Sequence, residues 1–200
     1  MKGFTLWLTG LPCSGKTTLA KGVEEILLER GLPVEVFDGD EIRTNLTKGL
    51  GYSKEDRDTN IRRVGYVCNL LTRNSVVSIA AVISPYQSIR DEVRETIGRF
   101  VEVFVDAPLE ELIKRDVKGM YKKALAGEIK NFTGIDDPYE PPEKPEVHVH
   151  TEQEEPEEST AKIIKTLEIL GFIPSIGGES NYTEEEEEVI KSRLRDLGYI

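Results

Sequence analysis

Cysteine and positive charge are both scarce in this chain, and it has no apolar run long enough to cross a membrane. Cys13 and Cys68 are the only cysteines among 200 residues, too few for a disulfide scaffold and suited to a reducing compartment. The 26 lysines and arginines face 37 aspartates and glutamates, a formal net charge of -11. A duplex-binding protein needs a basic face that releases counterions from phosphate, so nucleic acid is not an expected partner. No stretch approaches the roughly 20 apolar residues of a membrane span, and Met1 leads into the first apolar run without a signal sequence. The expectation is a cytoplasmic protein without a membrane partner. An anionic ligand must be met by a few local cations.

Chemistry is concentrated in Gly10-Leu11-Pro12-Cys13-Ser14-Gly15-Lys16-Thr17. The block follows the apolar run Phe4-Thr5-Leu6-Trp7-Leu8 and precedes Leu19, Ala20, Val23, Ile26 and Leu27 at helical spacing, so it joins a strand to a helix. Glycines allow backbone N–H groups to close around phosphate oxygens. Lys16 reaches the outer phosphates, and Thr17 is placed to hold Mg²⁺. The first helical turn, through Thr18, adds unpaired N–H groups and a partial positive charge. A nucleoside triphosphate is the expected ligand.

Further apolar runs at 34–37, 76–83, 100–105 and, more weakly, 147–149 alternate with helical patterns. The expected fold class is α/β, with a mostly parallel five-stranded sheet covered by helices on both faces and a ligand at the carboxyl ends of the strands. The first helix should end at Gly31, and a helix from about Glu55 to Arg73 should stop at Asn74. Residues 118–145 mix lysines, glycines, Tyr121, Phe132 and four prolines. They read as a covering lid with an ordered turn at Asp136-Asp137-Pro138. Near the end, Thr183-x-x-Glu186 forms a capping box ahead of an apolar stripe of Val189, Ile190, Leu194 and Leu197.

Asp38-Gly39-Asp40 follows the second strand beside the phosphate loop. Two readings stand: a carboxylate that receives the proton of a substrate hydroxyl, or an Asp that caps a helix starting near Glu41. Asp40 suits the first, because Arg43 lies one helical turn beyond it. On the helix from Glu55, Arg57 and Asn60 share the face of Ile61, Val64, Cys68 and Leu71, so they point inward. An inward Arg57 needs an anion, either a ligand phosphate or sulfate, or an internal carboxylate such as Asp38 or Asp40. Ile83-Ser84-Pro85-Tyr86 places a hydroxyl where many triphosphatases carry an acidic Mg²⁺ ligand, which favours a small kinase. Lys118, Lys122 and Lys123, with Tyr121, either close over anions or are solvated. His148 and His150, alternating on one strand, read as structural or exposed.

Assembled, the blocks Asp38-Gly39-Asp40-Glu41-Ile42-Arg43, Leu50-Gly51-Tyr52-Ser53, Asp56-Arg57-x-x-Asn60-Ile61-Arg62-Arg63, Ile83-Ser84-Pro85-Tyr86, Phe104-Val105-Asp106-Ala107-Pro108, Lys118-Gly119-x-Tyr121-Lys122-Lys123-Ala124 and Phe132-Thr133-Gly134-Ile135-Asp136-Asp137-Pro138-Tyr139 resemble adenylylsulfate kinase, through about Phe172. The resemblance implies a P-loop kinase domain at 1–172 and a tail of unassigned role at 173–200. It implies transfer of the γ-phosphoryl of ATP to the 3′-hydroxyl of adenosine 5′-phosphosulfate with Mg²⁺. Catalytic roles then fall to Asp40, Lys16 and Ser84. ATP would meet the loop from Gly10 to Thr18, and Arg115 near its adenine. The sulfonucleotide would meet Asp38, Asp40, Arg43, Arg57, Asn60, Ile83, Ser84 and Lys118, with its adenine between Tyr52 and Phe132. Ser84 matches a serine described in the family as a phosphorylated intermediate, but direct in-line transfer is preferred, because no base for Ser84 is evident. The family also implies a homodimer and coupling to ATP sulfurylase. Gln87, Ile89 and Leu125 depart from the family pattern and put the charge around the substrate in question. Two rival readings are a kinase of another small hydroxyl compound and a non-catalytic sulfonucleotide-binding module.

Overall fold

In the computed structural model, which describes residues 2–175, 184–196 and 198, strands and helices alternate as the apolar runs require. The elements are β1 (Thr5–Thr9), α1 (Lys16–Glu29), β2 (Val34–Asp38), α2 (Gly39–Thr44), α3 (Lys54–Arg73), β3 (Val77–Ala81), α4 (Gln87–Ile97), β4 (Phe100–Asp106), α5 (Leu109–Arg115), α6 (Met120–Leu125), β5 (Val147–His150), α7 (Pro156–Ile169) and α8 (Glu184–Asp196). The strands form one parallel sheet in the order β2-β3-β1-β4-β5. β1 is central and buried throughout, so the loop that follows it opens in the middle of the sheet's carboxyl edge.

Strand side chains alternate between faces, and β1 divides the core accordingly. Leu6 and Leu8 pack with Leu19, Val23 and Leu27 of α1 and with Ile163 and Leu167 of α7. Trp7 points the other way, toward Ile61, Val64 and Cys68 of α3 and Ile89 and Val93 of α4. Burial pushes the Cys68 thiol up to about 12, which makes it an inert core residue. A smaller cluster of Ala107, Leu112, Tyr121, Ala124 and Phe132 lies under the lid.

Most boundaries fall where the sequence places them. Arg30 caps α1 just before Gly31 at φ 75°. Ser53 caps α3, accepting a hydrogen bond from the Asp56 N–H, and Asn74 ends it. β3 is shorter than the run 76–83, because the chain turns through Ser84 at φ 41° into Pro85, which has no N–H for a ladder. The lid contains a short helix, α6, in which Tyr121 and Ala124, one turn apart, bury the inner face. The turn expected at 136–138 is present, with the Asp136 carboxylate accepting hydrogen bonds from the N–H groups of Asn131 and Phe132. In α8, Ile190 and Leu194 are buried four residues apart, whereas Val189, 100° around the helix, is 70% exposed. The expected stripe is therefore narrower; Thr183 and Leu197 lie outside the described residues. Among the described residues no helix is long and apolar enough to cross a membrane.

α3 and α4 meet closely at Gly65 of α3, where an added Cβ would fall 2.8 Å from both Cγ atoms of Val93 in α4. Alanine in place of a helical glycine ordinarily gains about 1 kcal/mol, while overpacking costs about 1–3 kcal/mol. Gly65→Ala should therefore lower stability by roughly 1 kcal/mol, and the same change made in a Val93→Ala background should raise it, as measured by urea denaturation.

Candidate active site

The phosphate loop can run tight against β4 only because Gly10 has no side chain. A Cβ there would lie 2.2 Å from the Val105 carbonyl oxygen. Gly15, at φ 100°, takes the N-cap of α1 in a left-handed conformation that suits glycine. No side chain caps this helix and no acidic residue stands in its first turn, so its N–H groups and dipole face the loop. Lys16 is buried, and its ammonium donates to the carbonyls of Gly10 at 2.9 Å and Leu11 at 2.7 Å and to Ser14 Oγ at 3.3 Å. Burial lowers its pKa to about 8, against a smaller upward pull from nearby Asp38. Thr17 and Thr18 are exposed at the mouth of the loop.

The two readings of Asp38-Gly39-Asp40 divide between the two carboxylates. Asp38 is the cap: its Oδ1 accepts the Asp40 N–H at 2.9 Å, and its Oδ2 accepts the Thr17 hydroxyl at 2.7 Å. Asp40 is left projecting from the first turn of α2, 75% exposed, in an ion pair with Lys118 of the lid. That contact holds the Lys118 ammonium above its ordinary pKa. Thr17 Oγ1 and Asp38 Oδ2 are hard oxygen donors at nearly the spacing of about 2.9 Å expected between neighbouring ligands of an octahedral ion bound at about 2.0–2.1 Å. The residues present therefore fit Mg²⁺.

Arg57 and Asn60 do point inward, and both are buried. The partner of Arg57 is neither Asp38 nor Asp40. Its Nε donates to the Tyr52 carbonyl at 2.9 Å, Nη1 to Thr133 Oγ1 at 2.6 Å and Nη2 to the Asn131 carbonyl, with Asp137 Oδ2 at 3.6 Å. One guanidinium thus ties the start of α3 to the lid turn. Asn60 Oδ1 accepts the Thr47 hydroxyl at 2.8 Å, which makes it a brace for the segment after α2. Arg43 donates to the Gly51 carbonyl at 2.8 Å and lies over the Tyr52 ring at 4.9 Å; burial lowers its pKa. Tyr52 is 59% exposed, while Phe132 is buried edge-on to Tyr121 at 5.0 Å. Tyr121 in turn donates to the Pro12 carbonyl at 3.0 Å.

Ser84 is almost fully buried. Its hydroxyl accepts from Trp7 Nε1 and donates to Thr9 Oγ1, both at 3.0 Å, and Thr9 donates to the Ile83 carbonyl at 2.7 Å and meets the Tyr139 hydroxyl at 3.0 Å. Arg115 donates to the Thr151 hydroxyl and carbonyl at 2.9 and 2.7 Å, and the Thr151 hydroxyl donates to the Ser14 carbonyl. Arg115 therefore braces the loop after β5 against the phosphate loop. A cleft of about 540 Å³ opens between Leu11, the end of β4 and residues 134–139 of the lid, within the range of about 300–1,000 Å³ typical of small-ligand sites.

Several contributors have no local signature in the sequence. Asn131, Thr133 and Tyr139 carry no motif that links them to Arg57 or Ser84. Asp137 had one signal, its place before Pro138 in the turn. Of the departures, Ile89 is core, Leu125 is exposed, and Gln87 Oε1 accepts from Arg90 at 2.6 Å. Arg90 sits in a buried network with Glu102, joined by Arg94 and Glu146.

A strand-order 2-3-1-4-5 sheet with this loop at its centre defines a phosphate-loop kinase fold. The family model for adenylylsulphate kinase matches residues 2–150. An adenylyl-sulfate kinase of Rippkaea orientalis is 63% identical over 172 residues, 86% of this chain and 95% of the relative. A bifunctional SAT/APS kinase of Sorangium cellulosum is 60% identical over 88% of this chain, which spans 30% of that longer protein. Among solved structures, an APS kinase of Mycobacterium tuberculosis in complex with AMPPNP and APS superposes with a TM-score of 0.80 at 41% identity, over 84% of this chain and 98% of that one. The chain belongs to the adenylylsulfate kinase family.

The buried lysine has a measurable signature. Between about pH 8 and 10.5 the unfolded chain keeps the Lys16 proton while the folded chain has lost it. Unfolding then takes up a proton, so stability from this group rises with pH across that window; below about 8 both states are charged and the burial cost is constant. The stability of the native sequence relative to Lys16→Met should increase by up to roughly 3 kcal/mol across the window, read from urea midpoints at matched pH values.

Proposed function

We infer that this protein transfers the γ-phosphoryl group of ATP to the 3′-hydroxyl of adenosine 5′-phosphosulfate, giving 3′-phosphoadenosine 5′-phosphosulfate and ADP. The observation that carries the reading is Asp40, an exposed carboxylate beside a complete phosphate loop and held by one lid lysine. Lys16 leaves its loop carbonyls for the β- and γ-phosphate oxygens, a move favoured because phosphate offers the buried ammonium a full countercharge. Asp40 orients the 3′-hydroxyl and takes its proton as the oxygen attacks phosphorus in line. The bond from phosphorus to the β–γ bridging oxygen breaks, and ADP carries the electron pair away. Thr17, with Asp38 behind it, would hold Mg²⁺, which would supply charge neutralisation at the phosphates.

Arg57 organises the acceptor side. It fixes Tyr52 and Asn131, the neighbour of Phe132, so the two rings assigned to the substrate adenine hang from one guanidinium. Arg43 and Lys118 supply further positive charge for the phosphosulfate. Ser84 acts as a brace. Its hydroxyl proton goes to Thr9 Oγ1, itself a hydroxyl and no base, which supports direct transfer over a phosphoserine. A homodimer and coupling to a sulfurylase belong to the same reading, the second supported by the fused relative from Sorangium cellulosum.

ADP release by the purified protein across a panel of acceptors tests the assignment. Turnover with adenosine 5′-phosphosulfate is expected; turnover on nucleosides or sugar acids with none on the sulfonucleotide would overturn it. Asp40→Asn should lower kcat by about 10²–10⁴, whereas Ser84→Ala should stay within about tenfold of the native rate. Incubation with ATP alone should leave no phosphate on the protein.

A further inference from the structure

The β4–β5 edge of the sheet carries a cluster that phosphoryl transfer leaves unused. In the parallel register Phe104 stands opposite His148 and Asp106 opposite His150. A strand repeats its facing every second residue, so these four side chains share one face. The His148 ring stacks on Phe104 with centroids 4.7 Å apart and lies 4.1 Å from the ring of His150. Its Nε2 is 3.1 Å from Asp106 Oδ2, and His150 Nδ1 is 4.0 Å from the same oxygen. One ligand atom from each residue falls within 4.8 Å of the others.

We propose that Asp106, His148 and His150 bind one divalent transition-metal ion of the Zn²⁺, Co²⁺ and Ni²⁺ class. Ligand atoms at about 2.0–2.2 Å from a common ion are separated by about 3.3 Å at a tetrahedral angle and by no more than about 4.4 Å. The observed separations approach this with small ring rotations. Two imidazoles and a carboxylate suit the later transition metals, whereas Mg²⁺ and Ca²⁺ select oxygen ligands. A histidine–carboxylate hydrogen bond explains His148 and Asp106 but gives no reason for a second imidazole turned toward the same oxygen. Both ligand-bearing backbones are also fixed independently. The Asp106 carbonyl accepts the Thr151 N–H at 2.9 Å, and the His150 N–H donates to Glu154 Oε1 at 3.0 Å. These bonds fix the two backbones from which Asp106 and His150 reach the common point. With 26%, 38% and 43% of the His148, Asp106 and His150 side chains exposed, an ion can enter and keep water in its remaining positions.

The test uses the full chain, stripped with chelator and titrated with Co²⁺ without nucleotide. The expected result is one Co²⁺ per chain with visible d–d absorption and no thiolate charge-transfer band, displaced by Zn²⁺ but not by excess Mg²⁺. Cys13→Ser should bind the ion unchanged, while His150→Gln and Asp106→Asn, with native far-UV circular dichroism, should bind at least about tenfold more weakly. Equal Co²⁺ binding by the native chain and His148→Ala/His150→Ala, displacement by Mg²⁺, or no stoichiometric binding would each overturn the proposal.

Discussion

A buried ammonium at the end of the central strand constrains everything around it. Lys16 sits at a parallel strand-to-helix junction where burial opposes its charge, and three oxygens of its own loop compensate. Those oxygens converge only because Gly10 lets the loop pass against Val105 and Gly15 turns it into an uncapped helix. A side chain at Gly10 would push the loop off β4 and take the lysine with it. The same geometry that holds a cation on carbonyls presents N–H groups and a helix dipole to an anion. The loop is in effect a binding site whose lysine is parked on weaker partners than phosphate.

Around that centre the walls are tied together by a few long side chains. Arg57 joins the start of α3 to the lid turn, Arg115 joins the loop after β5 to the phosphate loop, and Tyr121 joins α6 to Pro12. These contacts join elements far apart in the chain, and hydrogen-bonded cations and a phenol add direction to the apolar packing under the lid. The lid lysine on Asp40 belongs to the same scheme. It joins two exposed groups, and exposed ion pairs are worth at most about 1 kcal/mol, so it is easily exchanged for substrate.

The loop was legible in the sequence because its chemistry is contiguous: spacing alone put glycines, lysine and threonine at a strand–helix junction. The inward faces of Arg57 and Asn60 were legible too, because helical rotation is a local rule. Asp40 could be singled out as the free carboxylate from the place of Arg43 one turn on, but that Asp38 is the residue that caps depends on where α2 begins. Apart from the nearby Tyr52 carbonyl, the partners of Arg57 lie 74 or more positions on and belong to a turn without periodicity. The Trp7, Ser84, Thr9 and Tyr139 chain joins two strands and the lid, and no one-dimensional pattern encodes it. Helix α6 was hidden by flanking glycines, and the edge histidines gained a third partner only once β4 and β5 were in register.

The central claim is that Lys16 and Asp40 exchange protein partners for the two substrates. A crystal structure with adenosine 5′-phosphosulfate and a nonreactive ATP analogue measures this directly. The account predicts Lys16 Nζ on the β- and γ-phosphate oxygens and the Asp40 carboxylate within about 3 Å of a 3′-hydroxyl aimed at the γ-phosphorus. Ser84 should still be bonded to Trp7. Lys16 retained on the Gly10 and Leu11 carbonyls with both nucleotides bound, or a 3′-hydroxyl turned away from Asp40, would contradict it.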